Sequence, residues 1–268
     1  MRFNKKKKIK SVVMLVLTAL ISFSCNTEKR PLHIFMAGDS TMANKVLYKT
    51  VTDSVTGKEI QEDFPERGWG MVLPQFFTDK VVIQNYAKNG RSTRTFISEG
   101  LWDSIASNVK QGDYVIIQFG HNDSSEAKKD RYTSPGDYKN NLIKFVDETR
   151  AKGGNPILCT PVARRKYKDG EIVNTHGIYT DLVAEVATEK NVPLVDMYKY
   201  TSEWLNETGE ENSARFFMNI PAGVNKIYPN GLTDNTHFVQ AGAEKAAGFF
   251  VEDIKKQQIE GLTKYLKK

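Results

Sequence analysis

Five apolar runs of strand length recur along the chain with no polar alternation inside them, and longer amphipathic stretches separate them. The runs are Leu32–Ala37, Val81–Tyr86, Tyr114–Phe119, Pro156–Thr160 and Pro193–Asp196. A strand that is apolar at every position must be covered on both faces, the condition of a parallel sheet sandwiched between helices. Helical spacing is found over Gly70–Phe77, Leu101–Asn108, Asp137–Lys152, Thr175–Lys190 and Gln240–Lys256. In the last of these, Ala243, Ala246, Ala247, Phe250, Val251 and Ile254 share one stripe. Strand, crossover helix and strand repeated in this way predict an α/β chain with a three-layer, doubly wound, flavodoxin-like parallel sheet. Ligands of such sheets bind beyond the carboxyl ends of the strands. The residues directly after each run are therefore where function is to be sought. Asn44–Arg67 and Thr201–Asn230 read as long irregular segments, and loops of that length are commonly functional.

The N-terminus sets a separate constraint. MRFNKKKKIK is a dense positive cluster, and the apolar run behind it, SVVMLVLTALISF, is short for a bilayer span, so residues 1–24 read as a signal peptide. The run ends in ISFSC, which resembles a bacterial lipobox with Cys25 as the acylated residue, the alternative being an ordinary secretory signal cut near Ser24. Residues 25–31 then serve as a tether and residues 32–268 as a single domain, exported and held at a membrane face by the lipid. Of 38 Lys and Arg residues against 32 Asp and Glu, six basic and no acidic ones lie in the first 24 positions. The mature chain is formally neutral, and the positive balance of the whole gives no support to a nucleic-acid partner. With Cys25 acylated, Cys159 has no disulfide partner, and its place in the apolar PILC suits a buried thiol. A monomer is expected.

Four polar blocks follow the predicted strands. AGDSTMA places Ser40 just after the first, although Ser and Asp at such a position are also common helix caps. NYAKNGRSTRTF follows the second, where Gly90 allows close backbone approach, while Asn89-Gly90 is equally an ordinary turn pair and Ser92 a rival nucleophile. QFGHND follows the third and presents the Asn122 amide. His121 and Asp123 in that block do not make a metal site, because no third ligand stands at a recognisable interval. GLTDNTHFVQ places Asp234 and His237 three residues apart on the turn entering the last helix, a spacing that lets a carboxylate hold one imidazole nitrogen while the other faces outward as a base.

GDS, the Asn89-Gly90 pair, GHND and DxxH in this order resemble the SGNH hydrolase superfamily. GDSTMA, RGWG at Arg67–Gly70, NGRSTRTF and DNTHF are similar to its rhamnogalacturonan acetylesterase branch. The resemblance implies the SGNH hydrolase fold, with Ser40 as nucleophile, His237 as base and Asp234 orienting it. It also implies an oxyanion hole made of the Ser40 and Gly90 amides and the Asn122 side chain, and no metal or organic cofactor. The substrate it implies is an acetylated polysaccharide or oligosaccharide, most directly the pectic rhamnogalacturonan. Trp69, Arg91, Arg94, His176 and Tyr179 are candidates for an aromatic and polar rim against the sugars. Two alternatives stand beside this reading: a lysophospholipase or thioesterase of the same superfamily, and an inactive glycan-binding surface lipoprotein.

Overall fold

A computed structural model describes residues 30–267. The predicted signal segment and Cys25 lie outside the described residues.

The five predicted runs pair in parallel into one sheet. From edge to edge it runs Leu194–Val195, Asn155–Cys159, Tyr114–Gln118, Leu32–Gly38 and Val81–Asn85. Successive side chains of a strand point to opposite faces, and here both faces are apolar. Ile34, Met36, Ile116, Ile157 and Cys159 enter one core, and Phe35, Ala37, Val115, Ile117 and Leu158 enter the other. The helix Gln240–Lys256 covers the first core with Ala243, Ala246, Ala247, Phe250 and Ile254. Leu101–Asn108, Pro135–Ala151 and Tyr179–Glu189 cover the second with Trp102, Phe145, Val146, Val183 and Val186. Strand succession reverses at Leu32–Gly38, which has the second strand of the sheet on one side and the third on the other. The crevice between Leu32–Gly38 and Tyr114–Gln118 is therefore the switch point at which such sheets bind ligands, and Ser40 and Asn122 follow those two strands.

Elsewhere the chain is more ordered than its sequence suggests. Within Asn44–Arg67, Tyr48–Thr52 and Glu59–Asp63 form an antiparallel hairpin, and Glu66–Arg67 adds a short strand to a second sheet. Thr201–Asn230 is not irregular throughout: the helix Met197–Thr208 runs into it and the strand Phe217–Ile220 lies inside it. Over Thr175–Lys190 the helix begins only at Tyr179, because the Asn174 side chain accepts the His176 and Gly177 N–H groups in a turn ahead of it. Gly70–Phe77 is split into a short α-turn, Trp69–Val72, and a 3-10 turn, Leu73–Phe76, with Pro74 at the start of the latter.

The largest departure concerns the segment carrying Asp234 and His237. It is not a turn but the middle strand, Leu232–Val239, of a three-stranded antiparallel sheet with Phe217–Ile220 and Glu66–Arg67. Phe217 pairs with Phe238, yet Met218 pairs with Asp234, so Asn235, Thr236 and His237 bow out of the ladder. Bulges re-aim side chains in this way. Phe238 beyond the bulge is fully buried against Phe217, their rings 4.9 Å apart. A side-chain carbon at Gly242 would meet the Phe216 carbonyl oxygen at 2.2 Å, so only glycine lets the last helix start this close to the sheet.

Candidate active site

Ser40 is carried on a turn fixed from beneath. The Asp39 carbonyl accepts the Met42 and Ala43 N–H groups, and its buried carboxylate accepts the Thr41 N–H at 3.0 Å and the Thr41 hydroxyl at 2.8 Å. Thr41 in turn accepts from the Gln118 amide, and Gln118 accepts the Trp69 indole N–H at 2.7 Å. With its neighbours held inward, the Ser40 side chain is left at the crevice, half-buried.

The bulged strand brings His237 to it. Nε2 of His237 lies 2.8 Å from Ser40 Oγ, and Nδ1 lies 2.7 Å from Asp234 Oδ2. The other Asp234 oxygen accepts the Thr236 and His237 N–H groups at 2.8 and 3.1 Å, which folds the bulge around its own carboxylate. Burial works against the Asp234 charge, but the hydrogen bond and charge of His237 and those two N–H groups hold the carboxyl below the ordinary aspartate range. A carboxylate at Nδ1 keeps the proton there, and Nε2 is then the acceptor for the Ser40 hydroxyl.

Ser40, His237, Gly90 and Asn122 border one cavity of about 540 Å³. Among the described residues no acceptor takes the Ser40 or Gly90 N–H. Asn122 Nδ2 donates to the Arg91 carbonyl at 3.0 Å, which orients its amide and leaves the second amide hydrogen to the cavity. Gly90 has φ +76°, a backbone that an L side chain rarely adopts, and a side-chain carbon there would stand 3.1 Å from the Arg131 guanidinium. The arrangement can therefore activate a hydroxyl and meet a developing oxyanion with amide donors.

Residues 34–249 match the family described as GDSL-like lipase/acylhydrolase. The chain belongs to that family. It is 36% identical to the rhamnogalacturonan acetylesterase RhgT of Bacillus subtilis over 84% of this chain and 90% of that protein. It is 34% identical to YesY, a probable rhamnogalacturonan acetylesterase of the same organism, over 83% of this chain and 92% of that protein. The solved structure of Bacillus subtilis YxiM shares the fold, with a TM-score of 0.69 at 24% identity, covering 87% of this chain. The chain spans 58% of that larger protein.

The five candidate rim residues separate on this GDSL-family scaffold. Arg91 borders the cavity, paired with Glu99 at 3.0 Å. Trp69 does not: it is fully buried against Phe250 with its indole N–H spent on Gln118. His176 is also buried, its ring 4.5 Å from that of His121, and burial pushes it well below the ordinary histidine range. Tyr179 is buried and donates its hydroxyl to the Thr133 carbonyl at 2.6 Å. Arg94 does not border the cavity and donates to the carbonyls of Lys129, Asp130 and Tyr132. Ser92, the rival nucleophile, is fully buried as the N-cap of the helix Thr93–Ser98. His121 Nδ1 faces Asp39 at 3.2 Å, whereas Asp123 accepts from the backbone and hydroxyl of Thr93. Cys159 is a free buried thiol.

Glu66, Lys128 and Arg131 also border the cavity and carry no sequence signal of their own, and Asn89, read from sequence only as half of a turn pair, borders it too. Glu66 is held by Lys45 at 2.6 Å, and the Lys45 ammonium also donates to Asn89. No motif announces these residues. The available signal is position: Glu66 directly precedes RGWG, Asn89 lies within NYAKNGRSTRTF, and Lys128 and Arg131 follow QFGHND.

Proposed function

We propose that the protein is a serine esterase that removes acetyl groups from a cell-wall polysaccharide, with acetylated rhamnogalacturonan as its substrate. The observation that carries the reading is the Ser40–His237–Asp234 chain of hydrogen bonds opening onto a cavity walled by amide and charged side chains. Such walls suit a short acyl group on a sugar and offer no apolar channel for a long acyl chain, which speaks against a lysophospholipase. Similarity to RhgT, a rhamnogalacturonan acetylesterase, and to YesY, a probable one, supports the same substrate.

In this mechanism Ser40 Oγ attacks the acetyl carbonyl carbon while its proton passes to His237 Nε2, and Asp234 stabilises the imidazolium that results. The carbonyl oxygen, now negative, accepts from the Ser40 and Gly90 N–H groups and from Asn122 Nδ2. Removal of one such donor typically raises the barrier by about 3 to 4 kcal/mol. Collapse breaks the bond to the sugar oxygen, which leaves with the proton from His237. A water deprotonated by the same imidazole then releases acetate and restores Ser40.

The basic cluster, the apolar run and Cys25 support export and a lipid anchor facing the periplasm or the cell exterior. Intact mass should give a chain beginning at an acylated Cys25; an unmodified N-terminus would refute the anchor. Light scattering should return a monomer. The activity is tested by acetate release from acetylated rhamnogalacturonan, with Ser40→Ala as control. Release that survives this substitution would overturn the nucleophile assignment, and a preference for long acyl esters would overturn the substrate class.

A further inference from the structure

The bulge that carries His237 is closed on itself by Asp234, which accepts the Thr236 and His237 N–H groups. That closure sets its shape and not its place relative to Ser40. Met218 pairs with Asp234 and Phe217 with Phe238, so Asn235, Thr236 and His237 have no partner in the strand ladder. The extra residues of a bulge are left without ladder bonds, and the position of His237 then depends on what holds them from outside.

The outside hold comes from the segment that follows the strand Asn155–Cys159. The Arg165 N–H donates to the Asn235 carbonyl at 2.8 Å, and Arg165 Nη1 donates to Asn235 Oδ1 at 3.0 Å. Asn219 Nδ2, from the neighbouring strand Phe217–Ile220, reaches the same oxygen at 3.1 Å. The rest of the guanidinium is fixed too: Nε donates to Ser213 Oγ at 3.0 Å and Nη2 to the Glu210 carbonyl. Ser213 is fully buried, with the Glu210 carbonyl and the Tyr167 hydroxyl at 3.0 and 3.1 Å from its own hydroxyl. Arg165 thus donates to three neutral oxygens and to no carboxylate, and its rigid planar fork works as a spacer of fixed length.

Arg164 ties the same segment to the other half of the site. Its Nη2 donates to the His121 carbonyl at 3.0 Å and its Nη1 to the Thr175 hydroxyl at 3.2 Å. His121 immediately precedes Asn122, the proposed oxyanion donor. Two consecutive arginines therefore link the bulge bearing His237 to the loop bearing Asn122. Neither of them borders the catalytic cavity.

We infer that Arg165 is a positioning residue for the reaction: gripping Asn235 by backbone and side chain, it sets the bulge so that His237 Nε2 meets Ser40, while Arg164 holds the same segment to the oxyanion loop. This rests on the serine-esterase reading and adds to it a residue that acts without touching substrate.

The test is kinetic, on 4-nitrophenyl acetate with the full chain. Arg165→Gln and Asn235→Ala should each lower kcat by roughly ten- to a hundredfold, the scale of an ångström of misplacement, with KM within about twofold. The double variant should be no slower than the slower single one, because both changes cut the same tie. Arg165→Lys, which keeps a donor for one of the oxygens, should recover part of kcat. Asn235→Ala retains the backbone bond from Arg165 and gives the same reading if Arg165→Gln does not fold. Arg150 serves as the control: it also donates to two carbonyls, those of Lys190 and Asn191 at 2.6 and 2.8 Å, and Arg150→Gln should leave kcat unchanged. Full kcat in Arg165→Gln and Asn235→Ala, losses that multiply in the double variant, or an equal loss in Arg150→Gln would overturn the inference and leave the esterase reading standing. Wild-type protein that releases neither nitrophenolate nor acetate from acetylated rhamnogalacturonan would overturn the esterase reading and this inference with it.

Discussion

Two aspartate–histidine pairs stand near the carboxyl end of the sheet, and they differ in everything except composition. Asp234 and His237 are 2.7 Å apart with side chains about a quarter exposed, and a serine hydroxyl waits at the outer nitrogen. Asp39 and His121 are 3.2 Å apart, their side chains 0% and 3% exposed, and among the described residues the His121 Nε2 has no hydrogen-bond partner. Burial pushes His121 below the ordinary histidine range in spite of Asp39, with Arg164 and His237 adding to the effect. Burial opposes the Asp39 charge, yet His121 and Thr41 hold its carboxyl below the usual range. The inner pair is a neutral imidazole donating to a buried carboxylate, and it fixes the turn beneath Ser40. What makes the outer pair able to move a proton is access and a third partner, which residue type alone does not supply.

Substitutions at the outer pair should have the largest effect. Ser40→Ala or His237→Ala should each lower kcat on 4-nitrophenyl acetate by on the order of 10⁴ to 10⁶. Asp234→Asn should cost about 10⁴ with the fold intact, because the imidazole loses the partner that fixes its tautomer. At the inner pair the emphasis reverses. Asp39→Asn should destabilise by about 1.5 to 3 kcal/mol in chemical denaturation, the size of a hydrogen bond to a charged group. Its kcat should fall by less than about 10², since only the placement of Ser40 is disturbed. If Asp39→Asn abolished activity as thoroughly as Asp234→Asn, the distinction between the pairs would fail.

The smallest effect should come from a third carboxyl, one that is fully buried. Asp123 follows Asn122, the proposed oxyanion donor, and burial raises it to about 7 against the opposing hydrogen bonds from Thr93. The folded chain then retains a proton that the unfolded chain releases near 3.8. Its contribution to stability is complete below the unfolded value and is lost as pH rises towards about 7, beyond which it is constant. Asp234 has the opposite sign: its folded value is lowered, so its contribution is present at neutral pH and lost on acidification. Melting curves between pH 4 and 8 should show the wild-type protein losing stability relative to Asp123→Asn as pH rises. A parallel course of the two would remove the buried proton.

Continuous apolar runs and a long amphipathic stripe sufficed to predict the central sheet and its covering helices, because both report burial directly. Leu101–Asn108 and Gln240–Lys256 even keep their predicted bounds. Short secondary elements escaped. The hairpin Tyr48–Thr52 with Glu59–Asp63 is largely exposed and has no core face to leave a pattern. The bulge at Asn235–His237 exists because Phe238 must be buried and Asp234 must bind its own neighbours, a conflict visible only once the strand has a partner. From sequence Trp69 reads as a sugar-facing aromatic, because its indole partner, Gln118, lies far along the chain. Arg94 and Tyr179 bind backbone carbonyls, which no sequence pattern records. His121 stands inside a recognised motif, and its partnership with Asp39 of another motif emerges only from the sheet order.

The activated hydroxyl should be that of Ser40. Reaction of the mature protein with a fluorophosphonate, followed by peptide mapping by mass spectrometry, reads this without any choice of polysaccharide. One adduct should form, on the peptide containing Ser40, and it should vanish in His237→Ala. An adduct on Ser92, or labelling of Ser40 that persists at full rate without His237, would contradict it.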